Sequence, residues 1–233
     1  MLATLFNDWG EWFPTLLGGL GVSVRLTGAI LLLGLPLGIV LALLAESRRL
    51  PVRLVTGFVV ELGRGTPTLV MIYLVYFGLP PAGISFSAFA AATVAFALNV
   101  GAYSSEIFRA GLKAVPRGQR DAAMAIGLTP ARQLVLIVLP QALRIVIPPI
   151  LGYAIIVFQG TSLAFVIGIP ELLSRAYEIG SATFQFFSVL TLAGLMYAVV
   201  AIPAARLIGR LEAGGPRRSR SFRRRALLAR GRS

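Results

Sequence analysis

Three charged residues stand in stretches apolar enough to lie inside a membrane: Glu61, Arg64 and Glu106. A charge at mid-membrane costs about 2.5–3.5 kcal/mol on insertion scales, so such groups pair or face a cavity. Glu61 and Arg64 are three residues apart, which puts them on one helix face. Thr66, Asn99, Tyr103, Gln159, Thr161 and Ser162 add neutral hydrogen-bonding groups in the same kind of setting. Two readings stand. One is a polar path for a zwitterionic or charged solute with ammonium and carboxylate ends. The other is an internal ion pair, with hydrogen bonds between helices, that locks the bundle.

Several chemistries are excluded. The chain has no Cys and no His, so it forms no disulfide, has no thiol or imidazole catalyst and offers no Cys/His metal site. No GxxxxGK[ST] loop occurs; Gly63-Arg64-Gly65-Thr66 is glycine-rich but lacks the lysine. Any nucleotide that energises this chain binds another protein. We assign no catalytic residue, no metal and no bound cofactor.

The elements that must position the polar groups are membrane helices. Of 233 residues, 57% are hydrophobic and only 13% charged, against roughly a quarter charged in soluble domains. Five apolar segments read as spans: residues 22–45, 54–79, 86–111, 142–158 and 186–208. A span needs roughly 20 residues. In the first, Pro36 lies between Gly34 and Gly38, either a kink or a small-residue packing face. The fourth is interrupted at Gln159-Gly160-Thr161-Ser162 and resumes to Pro170. Residues 1–20, with Trp9, Trp12 and Phe13, read as an interfacial segment, and residues 171–185 as an interfacial loop or helix. Asp8 and Glu11 with no early Lys or Arg argue against a cleaved signal peptide.

Five spans put the termini on opposite sides, and arginine decides which. With the N-terminus outside, the inner side receives Arg48, Arg49, Arg53, Arg109, Lys113, Arg117, Arg120, Arg132, Arg144 and the ten arginines from Arg206 onward. The positive-inside rule therefore predicts N-terminus outside and C-terminus cytoplasmic. The net charge of +13 is then cytoplasmic bias and contact with anionic lipid, and we expect no nucleic acid partner. A permease domain over residues 1–212 and a basic, disordered tail over 213–233 are expected.

The topology leaves residues 121–140, DAAMAIGLTPARQLVLIVLP, on the cytosolic side. Gly127 suits the position just past a helix end, and Thr129-Pro130 an N-cap followed by a first-turn proline. The stretch reads as two short helices joined at Gly127-Leu128 and ended by Pro140. Its spacing is Asp121-Ala122-Ala123, three residues, Gly127, nine residues, Ile137, one residue, Leu139-Pro140. This resembles the EAA loop of ABC-importer permease subunits, with Asp121 in place of Glu. Arg64-Gly65-Thr66-Pro67, Gly101-Ala102-Tyr103, Glu106-Ile107, Arg109-Ala110-Gly111, Gly118-Gln119, Pro140-Gln141-Ala142 and Glu171-Leu172 are similar to the polar amino acid branch, the histidine/glutamine permease type. The resemblance covers residues 15–212.

The resemblance implies an all-α type I ABC importer transmembrane domain in a bacterial cytoplasmic (inner) membrane. It implies two cytosolic ATPase subunits carrying ATP and Mg, which grip a coupling loop over residues 116–140 through Asp121, Ala122, Ala123, Gly127, Leu139 and Pro140. It also implies an extracytoplasmic amino-acid-binding protein and a second, identical or related, permease subunit. The family has Lys-Asp-Thr-Ser-Leu where this chain has Gln159-Gly160-Thr161-Ser162-Leu163. Loss of the acid disfavours arginine and lysine and leaves solutes such as glutamate, glutamine and cystine. An ion-gradient-driven transporter or channel, and a membrane scaffold with a lipid-binding tail, are the alternatives.

Overall fold

A computed structural model describes residues 7–213, and among them every regular element is helical. Helix α1 (Trp9–Ala45) runs unbroken through Pro14 and Pro36. The interfacial segment expected at residues 1–20 is therefore, from Trp9 on, the first turns of the span itself. Trp12 and Leu16 are buried there against Leu172, Val189 and Met196, so packing rather than the membrane surface decides their place. Gly34 and Gly38 are a packing face. A Cβ on Gly34 would lie 2.6 Å from Val100 Cγ1, and one on Gly38 would overlap Ser104 Oγ and reach within 3.0 Å of the Gly101 carbonyl. Only glycine lets α1 approach α4 (Ala88–Ala114) this closely.

The second span is not one helix. Helix α2 (Leu50–Gly65) and α3 (Thr68–Tyr73) are bent by 105° at Thr66-Pro67. Proline drives its predecessor out of the α region, and Thr66 sits at φ −86°, ψ 128°. Helix α3 widens into a π turn (Leu74–Gly78). Helix α4 follows, N-capped by Ser87, which accepts from the Ala90 amide.

Helix α5 (Arg117–Ala125) is the first of the two short helices expected. The second, α6 (Pro130–Gln133), does not end at Pro140. It passes through a π turn (Leu134–Val138) into α7 (Leu139–Gly160) and a 3-10 segment (Thr161–Ile167), so Pro130–Ile167 forms one long apolar rod. Proline removes one helical hydrogen bond, and the π turn just before it absorbs the loss. Helix α8 (Leu172–Thr183) and helix α9 (Phe186–Ala213) complete the described chain. The arginine-rich tail beyond Ala213 lies outside the described residues. Four of the described helices are long and apolar enough to cross a membrane, and the bent α2–α3 pair makes a fifth if it counts as one span.

At the α8 end the bundle closes on a buried carboxylate. Glu171 is fully buried and N-caps α8, accepting from the amides of Leu173 and Ser174 at 3.0 and 2.7 Å. It also accepts from Tyr197 Oη of α9 at 2.7 Å and Ser23 Oγ of α1 at 3.3 Å. Trp9 Nε1 donates to Ser188 Oγ, and Gln185 Nε2 to Asp8, so the first and last helices meet again nearby. Large apolar side chains such as Leu32, Leu54, Phe58 and Phe187 are exposed on the outside of the bundle, the surface a lipid environment accepts.

Candidate functional site

The α2–α3 bend frees backbone carbonyls inside the bundle, and α4 answers them. Asn99 and Tyr103 are one helical turn apart. Asn99 Nδ2 donates to the Gly63 carbonyl at 2.9 Å, and Tyr103 Oη to the Arg64 carbonyl at 3.3 Å. Tyr153 of α7 donates to Asn99 Oδ1 at 2.7 Å, and its ring lies 5.3 Å from that of Tyr103. The Arg64 guanidinium sits 5.4 Å from the Tyr103 ring centre, in cation–π range. Together they open a cavity of about 320 Å³, also lined by Thr66, Thr68 and Ile156. Among the described residues, Arg64 is its only charged lining residue and no carboxylate lines it.

The structure thus brings Arg64, Thr66, Asn99 and Tyr103 together and disperses the other polar residues singled out from sequence. Glu61 is exposed on α2 and forms no ion pair with Arg64 among the described residues. Glu106 accepts from Arg109 at 2.6 Å, and Arg109 reaches on to Glu46 at 3.1 Å, where Lys113 joins it. That cluster staples the end of α1 to the end of α4. Lys113 first, then Arg109, holds the exposed Glu46 carboxyl below the usual carboxylate range. Thr161 and Ser162 serve their own backbone, donating to the carbonyls of Phe158 and Gln159 at 2.7 and 2.9 Å, and Gln159 is exposed. The polar break in the fourth span is therefore a helix end capped by hydroxyls. Tyr153 and Thr68 were missed by sequence reasoning. Tyr153 stands in an apolar run, and its partner is 54 residues away.

The second site is the loop on α5. Gly127 has φ +77°, its amide donates to the Met124 carbonyl at 2.9 Å, and the Leu128 amide donates to Ala123 at 3.1 Å. This is a Schellman ending, which a β-branched residue at 127 would strain. Thr129 then caps α6 by accepting from the Arg132 amide. The two caps join α5 to the rod through a tight turn. Ala123 is buried, whereas Asp121, Ala122, Met124 and Ile126 are exposed, Ile126 at 75%. Leu139 and Pro140 are exposed at the start of α7. Apolar side chains displayed beside a charge on a short helix suit a partner's groove better than water.

Apolar spans, one broken around a polar cavity, and a helical loop displayed at one end define a transmembrane permease domain. Residues 34–214 match the family of binding-protein-dependent transport system inner membrane components, and the chain belongs to that family. It is 37% identical over 190 residues to the arginine transport system permease protein ArtQ of Bacillus subtilis (strain 168), covering 81% of this chain and 87% of that one. Against the L-cystine transport system permease protein TcyB of the same organism it is 39% identical, covering 73% of each chain. Against the glutamate/aspartate import permease protein GltK of Escherichia coli O157:H7 it is 33% identical, covering 88% and 96%. A crystal structure of an amino acid ABC transporter with histidines superposes with TM-score 0.84 at 32% identity, over 89% of this chain and 97% of that one. The methionine transporter MetNI, 17% identical with TM-score 0.61, shares the fold. The chain is a permease subunit with the type I ABC importer fold.

Proposed function

We propose that this subunit carries polar amino acids across the bacterial inner membrane through the cavity at the α2–α3 bend, driven by ATP that a separate subunit hydrolyses. The observation that carries the reading is the cavity's chemistry. Arg64 is its only charge, and hydroxyls, an amide and two tyrosine rings supply the rest. A guanidinium suits the carboxylate every amino acid presents. With no acid in the wall, a cationic side chain finds no partner there. Glutamate, glutamine and cystine are therefore favoured over arginine and lysine. The relatives' names span arginine, cystine and glutamate/aspartate, so the cavity makes the choice.

The rest of the machine follows from the loop. Two ATPase subunits, with ATP and Mg, grip α5 and its turn through the exposed Asp121, Ala122 and Gly127, with Ala123 packed beneath them, and an extracytoplasmic binding protein delivers the solute at the α8 end. A second permease subunit completes the path, and Glu61, Glu106, Gln159, Thr161 and Ser162 take part in it only if the pathway extends beyond the cavity. The N-terminus is outside and α5 is cytoplasmic. ATPase closure moves α5 and rocks the spans between inward- and outward-facing states.

Reconstitution with the ATPase and binding protein tests this. ATP-dependent uptake of glutamate, glutamine or cystine ahead of arginine is expected, and Glu61→Gln and Glu106→Gln are expected to leave its KM unchanged. Preference for arginine would overturn the substrate assignment. Uptake by the purified chain alone, driven by an ion gradient, would replace the whole reading with a secondary transporter.

A further inference from the structure

Helix α5 is joined to the spans by covalent links, by the packing of buried Ala123, and by two side-chain hydrogen bonds: Arg120 donates to the Leu112 carbonyl of α4 at 3.1 Å, and the other bond is a bridge to α7. The covalent links are two short turns. One is the Val115-Pro116 turn from α4, and the other is the Gly127 turn into α6, where nothing lies within 4 Å of the position a Cβ would take. The bridge is Gln141. Its Nε2 donates to Gln119 Oε1 of α5 at 3.2 Å and to the Ile137 carbonyl at 3.0 Å. An amide nitrogen carries two hydrogens, so both bonds stand together.

The bridge sits where the rod is irregular. Pro140 has no N–H to give the carbonyl four residues before it, and the preceding residues widen into the π turn, in which the Leu139 amide bonds Leu134. Such turns concentrate at functional positions. Behind it, Val115, Val138 and Ala142 form a small buried core with Leu112, so the π turn is packed and not loose. From Gln141, helix α7 continues to Tyr153, twelve residues or about 18 Å along the axis at 1.5 Å per residue. Tyr153 there holds Asn99 and walls the cavity.

We infer that Gln141 is the positioning residue that makes α5 move with α7, so that displacement of α5 reaches the cavity wall through Tyr153. With the Gln119–Gln141 bond, α5 and the start of α7 form one body. Without it, the side-chain bond left to α5 runs from Arg120 to α4 and not to α7, and part of its displacement is lost before it reaches α7. The inference rests on the reading that α5 receives the ATPase stroke.

The test uses the complete complex in proteoliposomes and reads two quantities at once: amino acid carried and phosphate released. The solute is whichever of glutamate, glutamine or cystine the wild-type complex carries. Gln141→Leu is expected to lower solute carried per ATP by about 2- to 10-fold, the range one neutral hydrogen bond supplies, while hydrolysis persists. Gln119→Leu, at an exposed position on α5, should give the same loss, and the double variant no more than either alone. Gln141→Glu, which can still accept from the Gln119 amide, should recover most of the ratio. A merely structural role would lower the amount of complex and leave the ratio intact. If Gln141→Leu fails to assemble, Gln119→Leu decides. An unchanged ratio in Gln119→Leu, or losses that multiply in the double variant, would overturn the proposal. Absence of ATP-dependent uptake by the wild-type complex would instead defeat the transport reading beneath it.

Discussion

The two ends of the bundle are built differently. At the α8 end, Glu171 is fully buried and takes four hydrogen bonds from α1, α8 and α9. At the α5 end, the exposed polar contacts include Gln141 to Gln119, Arg120 to the Leu112 carbonyl, and the cluster of Glu46 with Arg109 and Lys113. A buried network that is fully satisfied fixes one geometry, because any rearrangement strands a polar group in a low-dielectric interior. Exposed pairs are worth roughly 0–1 kcal/mol and are remade from water at little cost. Rigidity is therefore concentrated at one end, and the α5 end, which the proposed function has a partner move, is held by bonds that exchange cheaply.

The largest effect that would break this contrast is at Glu171. Glu171→Leu takes the acceptor from the Tyr197 hydroxyl and from the Leu173 and Ser174 amides and should cost about 1–3 kcal/mol for each group left unsatisfied. Thermal unfolding in detergent should show it, with Glu171→Gln milder. An unchanged melting temperature would mean the two ends do not differ in kind. Next is Gly19→Val. A Cβ there lies 2.9 Å from the Glu171 carbonyl oxygen and from Leu172 Cα, both backbone, so overpacking of about 1–3 kcal/mol is expected in the same assay.

At the other end, Gly127→Val meets no neighbour but must adopt φ +77°. The strain of about 1–3 kcal/mol falls on the α5 turn. ATP-driven uptake in vesicles should drop more than the melting temperature does; equal drops would blur the contrast. The smallest effect is at Glu46. Its folded carboxyl titrates below the ordinary value of 4.5. The stabilisation it brings is therefore present at neutral pH and is lost as pH falls through the lowered value. The protection of amides 46–49, taken relative to intrinsic exchange at each pH, should fall in that acid range in the wild type. In Glu46→Gln it should be low at every pH.

Much of this was legible in the chain. Gly127 followed by Thr129-Pro130 specified two caps, and both formed, because cap chemistry is local. Gly34 and Gly38 stood four apart and became the α1–α4 contact. The misreadings share one cause: local bonds compete with distant ones. Pro140 looked like a terminator, yet it costs a single hydrogen bond, which a π turn accommodates. Glu106 looked like a lone membrane charge, yet Arg109 is one turn away and takes it. The hydroxyls of Thr161 and Ser162 found carbonyls three residues back before any solute. Thr66-Pro67 was visible, but the 105° bend was not, since its angle depends on Asn99 and Tyr103 meeting the freed carbonyls. Tyr153 and Ser23 carried no signal, because their partners lie 54 and 148 residues away.

Glu171 also sets an order for biogenesis. Its hydroxyl partners belong to α1 and α9, the first and last helices of the described chain, and Trp9 meets Ser188 across 179 residues. Helix α1 enters the bilayer early and cannot complete these bonds until α9 has been made. At about 5–20 residues per second, that wait is on the order of ten seconds or more. During it, Ser23 can bond its own helix, at the Gly19 carbonyl 3.4 Å away, and α1 keeps an open face. Closing the first helix onto the last is then the final step, and a ribosome stalled before Tyr197 would leave a chain with most of its spans and no lock.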